Sequence, residues 1–274
     1  MEKVIDFHLH VAPLDNFNPV IVEYFRKNCP YYIENFSENI NPDDLVRYLH
    51  SQGVDKGVLL TEYAPKTTGV VTNESVSSLC QGQEDLIPFG ALCLYDDTPV
   101  AEQAEHAVQN LGMKGFKMVP TYAHFYPNDP KLFPFYELVQ DMGVPLQFHT
   151  GISLFKGARV KYGDPLFLDD VADEFPDLKI ILDHGGRSFW YDRANWLITR
   201  HKNMYIGVTG VPARDILQVF PNFKRYPDRF IFGSDWPAIP DIRTYVEKVR
   251  SLPLDNEILD MLLWQNAASI LGLE

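Results

Sequence analysis

The sequence predicts an α/β fold, a single (β/α)₈ barrel spanning residues 1–274. Three observations predict it. Eight short apolar runs alternate with amphipathic stretches from end to end of the 274 residues. The runs are rich in Val, Ile, Leu and Phe and mostly do not alternate, which is how parallel strands buried on both faces read. After the first run, where an open doubly wound sheet would carry a Gly-rich phosphate loop, the chain reads His-Leu-His-Val-Ala-Pro instead.

The first strand is expected over residues 4–10. A long connection follows, residues 11–41, rich in Asn, Pro and aromatics (Tyr24, Phe25, Tyr31, Tyr32, Phe36). At the C-terminal rim of a barrel it would either cover the site as a lid or pack its aromatics on the barrel side. Residues 42–52 read as a helix: Asn-Pro-Asp-Asp opens it, Leu45, Val46 and Leu49 fall at helical spacing, and Gly53 ends it. Strands are then expected over 57–62, 87–94, 115–119, 145–149, 179–184, 204–208 and 230–235. Helices are expected over 102–111, 131–142, 165–175, 190–201 and 214–220. Gly53, Gly112 and Gly143 each follow a helix and precede a strand, as glycines past a helix end do. A last amphipathic helix, residues 255–272, is expected outside the barrel.

Composition narrows the partners. Lys and Arg number 24 against 37 Asp and Glu, a net charge of −13, which argues against nucleic acid because phosphate binding needs a cationic face. Three scattered cysteines, Cys29, Cys80 and Cys93, make no disulfide framework and suggest a reducing, cytoplasmic setting. No run of about 18 apolar residues appears, so no membrane span is expected, and the start MEKVIDFHLH lacks the apolar core of a secretory leader.

The chemistry is expected where polar residues interrupt the apolar runs. His8 and His10 lie two apart on a strand, so both side chains share a face about 6.6 Å apart along it. Three more runs end in candidate ligands: Gln147-Phe-His149, Asp183-His184 and Gly233-Ser-Asp235. In a barrel these ends meet at one rim. Three imidazoles and a carboxylate make a mixed N/O set suited to Zn²⁺ or a similar divalent ion.

The order and spacing of five motifs resemble the amidohydrolase superfamily, specifically the amidohydrolase-related branch that includes the aminocarboxymuconate-semialdehyde decarboxylase type. The motifs are Asp6-Phe-His-Leu-His10, Gly115-Phe-Lys-Met-Val-Pro120, Phe148-His-Thr-Gly151, Leu182-Asp-His-Gly-Gly186 and Phe232-Gly-Ser-Asp-Trp-Pro237. The resemblance implies that His8, His10, His149 and Asp235 bind one metal ion, Zn²⁺ by preference although Mn²⁺ and Fe²⁺ accept the same donors. It makes Asp235 and His184 the catalytic pair. Lys117 and Arg187 are the cations expected to bind a substrate carboxylate or oxyanion, with a rim salt bridge as the alternative for Arg187. The alternative for Lys117 is a carboxylated side chain bridging a second metal, with His149 and His184 on that ion, or a buried salt bridge to Glu62 or another rim carboxylate. Dimers are common in the family, so a homodimer is an open expectation, with no interface that can be named.

Two reactions fit this constellation. In the leading one, a metal-activated water attacks the carbonyl of an amide, lactone or ester in a small, carboxylate-bearing substrate, and Asp235 manages the protons. In the second, the same metal orients an unsaturated or aromatic acid that loses CO₂ non-oxidatively. A metal- or ligand-binding protein without turnover is the third reading. Glu62, Tyr63, Tyr122 and His124 follow strands and are candidates to line the pocket. Gln147 is expected to point into the barrel mouth, Trp236 to pack behind Asp235, and His50, His106 and His201 to be structural.

Overall fold

The computed structural model describes residues 3–239 and 241–273. Met1 and Glu2, the start of the stretch read above for a leader, lie outside the described residues, as do Pro240 and Glu274. Eight parallel strands form the core: β1 (Ile5–Leu9), β2 (Lys56–Leu60), β3 (Leu86–Phe89), β4 (Phe116–Met118), β5 (Leu146–Gly151), β6 (Ile180–Arg187), β7 (Met204–Gly207) and β8 (Phe230–Ile231). Strands β1 to β3 pair in one sheet and β4 to β8 in another. Two seams join the sheets. At one, Lys117 N donates to Gly90 O at 2.7 Å, and Gly90 bridges Phe116 in parallel. At the other, Phe7 N donates to Phe232 O at 3.1 Å and His10 N to Trp236 O at 2.8 Å. The ring of eight is the expected barrel.

Its interior is filled by alternate residues of the strands. Val58, Leu60, Ile87, Phe89, Ile181 and Ile231 form one buried cluster with Ile5 and Phe7. The alternate strand residues, such as Leu59, Leu146, Leu182 and Ile206, pack outward under the helices. The chain's last helical segment was expected on the outside. Instead Ala267, Ala268 and Ile270 join the inner cluster, and Lys179 Nζ donates to Ile270 O at 3.0 Å, so this segment closes the N-terminal end of the barrel. It runs as Asn256–Asp260, a π-helical turn over Met261–Gln265, and Asn266–Leu271.

The predicted helices appear with shifted ends: α3 at Pro42–Ser51, α5 at Val100–Gln109, then Phe133–Asp141, Phe167–Glu174 and Tyr191–Arg200, while the short helix Pro120–Ala123 after β4 was not predicted. The stretch 214–220 is a 3₁₀ turn, Ala213–Asp215, running into the short helix Ile216–Val219. Asn41 caps α3, accepting from Asp43 N at 2.9 Å. Gly53, Gly112 and Gly143 take φ of 81°, 72° and 68°.

The segment 11–41 is not an irregular connection. It carries α1 (Pro19–Asn28) and α2 (Pro30–Phe36). Tyr32 and Phe36 pack edge-on to Trp236, with centroids 5.1 and 5.7 Å away, and Phe17 packs on Phe25 at 5.3 Å. The segment therefore fulfils both readings: its aromatics anchor it to the barrel rim, and α1 roofs the mouth. Three further elements were not anticipated: a hairpin of Glu62–Ala64 with Gly69–Val71, helix α4 at Asn73–Cys80, and a helix at Ile242–Arg250. The three cysteines are free, with Cys29 and Cys80 buried.

Candidate active site

The pairing of β1 with β2 shifts register between Asp6 and Leu9. This irregularity lets Phe7 join the inner cluster, stacking edge-on to Phe89 at 5.4 Å, while His8, its neighbour in sequence, also turns inward. Asp6 fixes the kink by accepting from His8 N at 3.1 Å and from Ser234 N at 2.8 Å. The same carboxylate thus ties β1 to the loop carrying Asp235. Sequence reasoning quoted Asp6 only as part of a motif. The room for His8 comes from the segment just after β8: a Cβ on Gly233 would lie 2.9 Å from the His8 Cβ.

His8, His10 and Asp235 converge, each offering a ligand atom within 4.8 Å of the others. The two Nε2 atoms are 3.1 Å apart, and Asp235 Oδ1 stands 3.5 Å from His8 Nε2 and 3.7 Å from His10 Nε2. Neighbouring donors on one ion with bonds near 2.1 Å are separated by about 3–3.5 Å. Two facing imidazole lone pairs also repel unless a cation or a proton lies between them. His149 stands outside this three-residue cluster but lines the same cavity; its Nε2 is buried and has no hydrogen-bond partner among the described residues. His8, His10 and Asp235 therefore fit a divalent ion, and His149 is not among the three.

His184 stacks against His149 with centroids 4.8 Å apart. Its Nδ1 lies 2.8 Å from Thr209 O. A carbonyl only accepts, so Nδ1 carries the proton and Nε2 keeps its lone pair. Both His184 and Asp235 adopt positive φ, 63° and 69°. Arg187 Nη1 lies 3.8 Å from Asp235 Oδ2. Lys117 is not paired with Glu62: its ammonium donates to Asp183, whose Oδ2 is also 3.4 Å from His8 Nδ1. Glu62 accepts from Thr68 Oγ1 and stands 3.7 Å from His10 Nδ1.

Burial shapes the charges. Loss of water pushes Asp6 and Glu62 up to about 7 and Asp235 up to about 6, and raises Asp183. Burial, and then the charge of Lys117, holds His8 and His149 well below the ordinary imidazole value and His10 down to about 3. His184 is lowered by burial and then by Arg187. The imidazoles are thus neutral and free to donate lone pairs, beside buried carboxylates whose cost of desolvation outweighs the pull of Lys117 and Arg187.

These groups form the floor of a narrow cavity with a volume of about 70 Å³. Phe17, Ile21 and Phe25 roof it, and Phe155, Val119 and Tyr122 line its wall. Tyr122, Arg187 and Asp235 also line an outer vestibule beside Tyr24 and Leu154, so they stand at the neck between the two spaces. Of the other candidates, Glu62 lines the cavity, whereas Tyr63 accepts from Asn73 N and His124 bonds Gly157 O, on other walls. Gln147 does not reach the mouth as a free group: its Nε2 donates to Phe7 O at 2.7 Å, strapping β5 to β1. His50 pairs with Asp85 and His201 with Asp169, on the outside.

A barrel with a His-x-His strand, an acid after the eighth strand and a histidine on the sixth defines a class, and the chain belongs to the amidohydrolase family, whose model matches residues 5–273. It is an enzyme of that superfamily. A gamma-resorcylate decarboxylase from Polaromonas is 24% identical over 254 residues, covering 71% of this chain and 76% of its own. Among solved structures, an uncharacterized TIM-barrel protein from Bordetella bronchiseptica has a TM-score of 0.80 at 22% identity, covering 98% of each chain. A dihydroxybenzoic acid decarboxylase from Polaromonas, solved with manganese and the inhibitor 2-nitroresorcinol, has a TM-score of 0.71 at 20% identity, covering 99% of this chain and 97% of that one. No helix of the described residues is long and apolar enough to cross a membrane.

Proposed function

We propose that this chain is a metal-dependent, non-oxidative decarboxylase of a hydroxylated aromatic acid. The observation that carries the reading is the likeness of this chain to decarboxylases, with a site whose layout suits an aromatic acid. The His8, His10 and Asp235 cluster faces a cavity roofed and walled by Phe17, Ile21, Phe25 and Phe155, in a chain similar to a gamma-resorcylate decarboxylase. This reverses the order in which the two reactions were first ranked. The catalytic core is common to both, and only the relatives' chemistry separates them.

The metal would be held by His8, His10, Asp235 and His149, and when bound it would supply a fixed positive charge that orients the acid's oxygens. One ion is favoured, because the Lys117 ammonium is engaged by Asp183. The mixed donor set suits Zn²⁺ and Mn²⁺ alike, and the manganese in a relative makes Mn²⁺ the first ion to supply.

The chain's own groups account for the rest of the reaction. Apolar side chains sandwich the ring and exclude water. Arg187, at the neck, draws in the anionic substrate. Asp235, in its protonated form, delivers a proton to the ring carbon that bears the carboxylate. The carbon–carbon bond then breaks, its electron pair restores the aromatic ring, and CO₂ leaves through the vestibule. His184 accepts a hydrogen bond from a ring hydroxyl on Nε2, having committed Nδ1 to Thr209. The test is to supply Mn²⁺ or Zn²⁺ with a panel of hydroxybenzoates and lactones, measuring CO₂ and ring products. CO₂ with the matching phenol supports the proposal. Lactone or amide hydrolysis without CO₂ returns the assignment to the hydrolase reading.

A further inference from the structure

The Lys117–Asp183 pair takes no step in the reaction above, yet each side chain is only 1% exposed. Burying two charges together is costly, and such pairs are seldom explained by stability alone. Lys117 comes from β4 and Asp183 from β6, and both point to the barrel interior, beneath the cluster of His8, His10 and Asp235. Asp183 Oδ2 receives the Lys117 ammonium and faces His8 Nδ1 at 3.4 Å.

We infer that Asp183, charge-balanced by Lys117, is a positioning residue that holds the proton of His8 on Nδ1, so that the Nε2 lone pair faces the metal cluster. This rests on the reading of His8 as a metal ligand and not on the choice of reaction. The argument is electrostatic. A neutral imidazole keeps one proton and one lone pair. A lone pair on Nδ1 would oppose a carboxylate oxygen 3.4 Å away, whereas an N–H there is attracted to it. The contact with Asp183 is not aligned as a hydrogen bond, and His8 Nδ1 has no other partner among the described residues, so the nearby carboxylate charge alone biases the tautomer.

Asp183 is itself held in place. Its backbone carbonyl accepts from Thr150 Oγ1 at 2.6 Å, and Gly207 leaves room for its other oxygen, which a Cβ there would approach to 2.9 Å. Lys117 is then spent on Asp183 and not on the substrate. His10 has a matching arrangement in weaker form, with Glu62 behind its Nδ1 and Thr68 on Glu62.

The experiment reads tautomer and metal affinity rather than turnover. Two-bond ¹H–¹⁵N spectra of metal-stripped protein report the protonated nitrogen of each ring, and the signal lost in His8→Ala identifies His8. Chelator competition gives the affinity for Mn²⁺. The wild type is expected to carry the His8 proton on Nδ1. Asp183→Asn is expected to move it to Nε2 and to weaken Mn²⁺ binding by about 10–100-fold. The double variant Lys117→Met/Asp183→Leu, which removes both charges, is expected to fold and to show the same loss of affinity. His8 protonated on Nε2 in the wild type overturns the inference. So does Mn²⁺ affinity within about twofold of wild type in both variants, because a merely structural pair would behave so. A wild-type chain that takes up neither Mn²⁺ nor Zn²⁺ overturns the metal reading, and the inference with it. Wild-type uptake with unaltered uptake in both variants overturns this inference alone.

Discussion

His184 and Asp235 sit in left-handed backbone, where a side chain costs about 1 kcal/mol or more, and each is fastened there. His184 is held through Thr209, and Asp235 donates its N–H to His8 O at 3.1 Å. Strain retained beside fixed partners is the mark of a site whose geometry is kept for its chemistry. Gly210 lies between these groups. A methyl there would come within 2.5 Å of Arg187 Nη1 and 3.1 Å of Asp235 Oδ2, and its φ is 66°. Gly210→Ala should cost only about 1–2 kcal/mol in a denaturant melt, because the guanidinium can swing away. The displaced Arg187 should raise KM for an anionic substrate by at least tenfold on the order of one lost charged contact. An unchanged KM would show that Arg187 does not meet the substrate. His8→Ala should lower metal content at least about tenfold. Its far-ultraviolet spectrum should stay that of the barrel, since the inner layer of Ile5, Val58, Ile87 and Ile231 is complete without an ion.

Helix α1 is the element that turns a barrel mouth into a closed cavity. Its apolar face presents Ile21 and Phe25 downward, while Tyr24 Oη reaches Ala238 O at 3.1 Å across the mouth. Ile21→Ala should cost about 2–3 kcal/mol, the low end for a buried Ile, because the gap opens onto an existing cavity. It should raise KM for an aromatic acid while leaving metal content at one ion per chain. A loss of metal instead would mean that α1 supports the ligands and not the substrate. This helix also shows what was legible and what was not. Pro19, Pro30 and Pro42 each stand at a helix start. Only Pro42 was read that way, because Asp43, Asp44 and a periodic apolar stripe follow it. Around Pro19 and Pro30 the aromatics are spread between the roof and the rim, so no single-faced stripe announces a helix. In Ile242–Arg250 a stripe of Ile242, Tyr245, Val246 and Val249, with Asp241 as its cap, is legible in the sequence, although the pattern of eight runs alone does not call for a helix there. The strands were legible because burial on both faces writes continuous apolar runs. The Lys117–Asp183 pair was not, because it joins two strands across the interior, and no local pattern records a contact between residues 66 apart.

On the scale of the whole molecule, buried carboxylates and buried imidazoles give the ion-free protein opposing responses to pH. The histidines of the site are depressed below their unfolded value. The stability they contribute is present above about pH 6.5 and is lost as the pH falls. Asp6, Glu62 and Asp235 are raised to about 7, 7 and 6. Their contribution is full below about pH 4 and is lost as the pH rises through 6 to 7, when charge appears on buried groups. A divalent cation among these groups neutralises that charge. At low pH, in turn, the protonated Asp235 is a poorer ligand. The gain in thermal stability from saturating Mn²⁺ should therefore be small near pH 5 and should widen steadily towards pH 8, because ion binding stabilises the folded state in proportion to its affinity there. Melting the protein with Mn²⁺ and with a chelator across this range measures the gap directly. A gap that stays level or narrows towards pH 8 would mean that the acidic groups around His8 and His10 are not the cation's counter-charge, and the metal assignment would have to move elsewhere in the barrel.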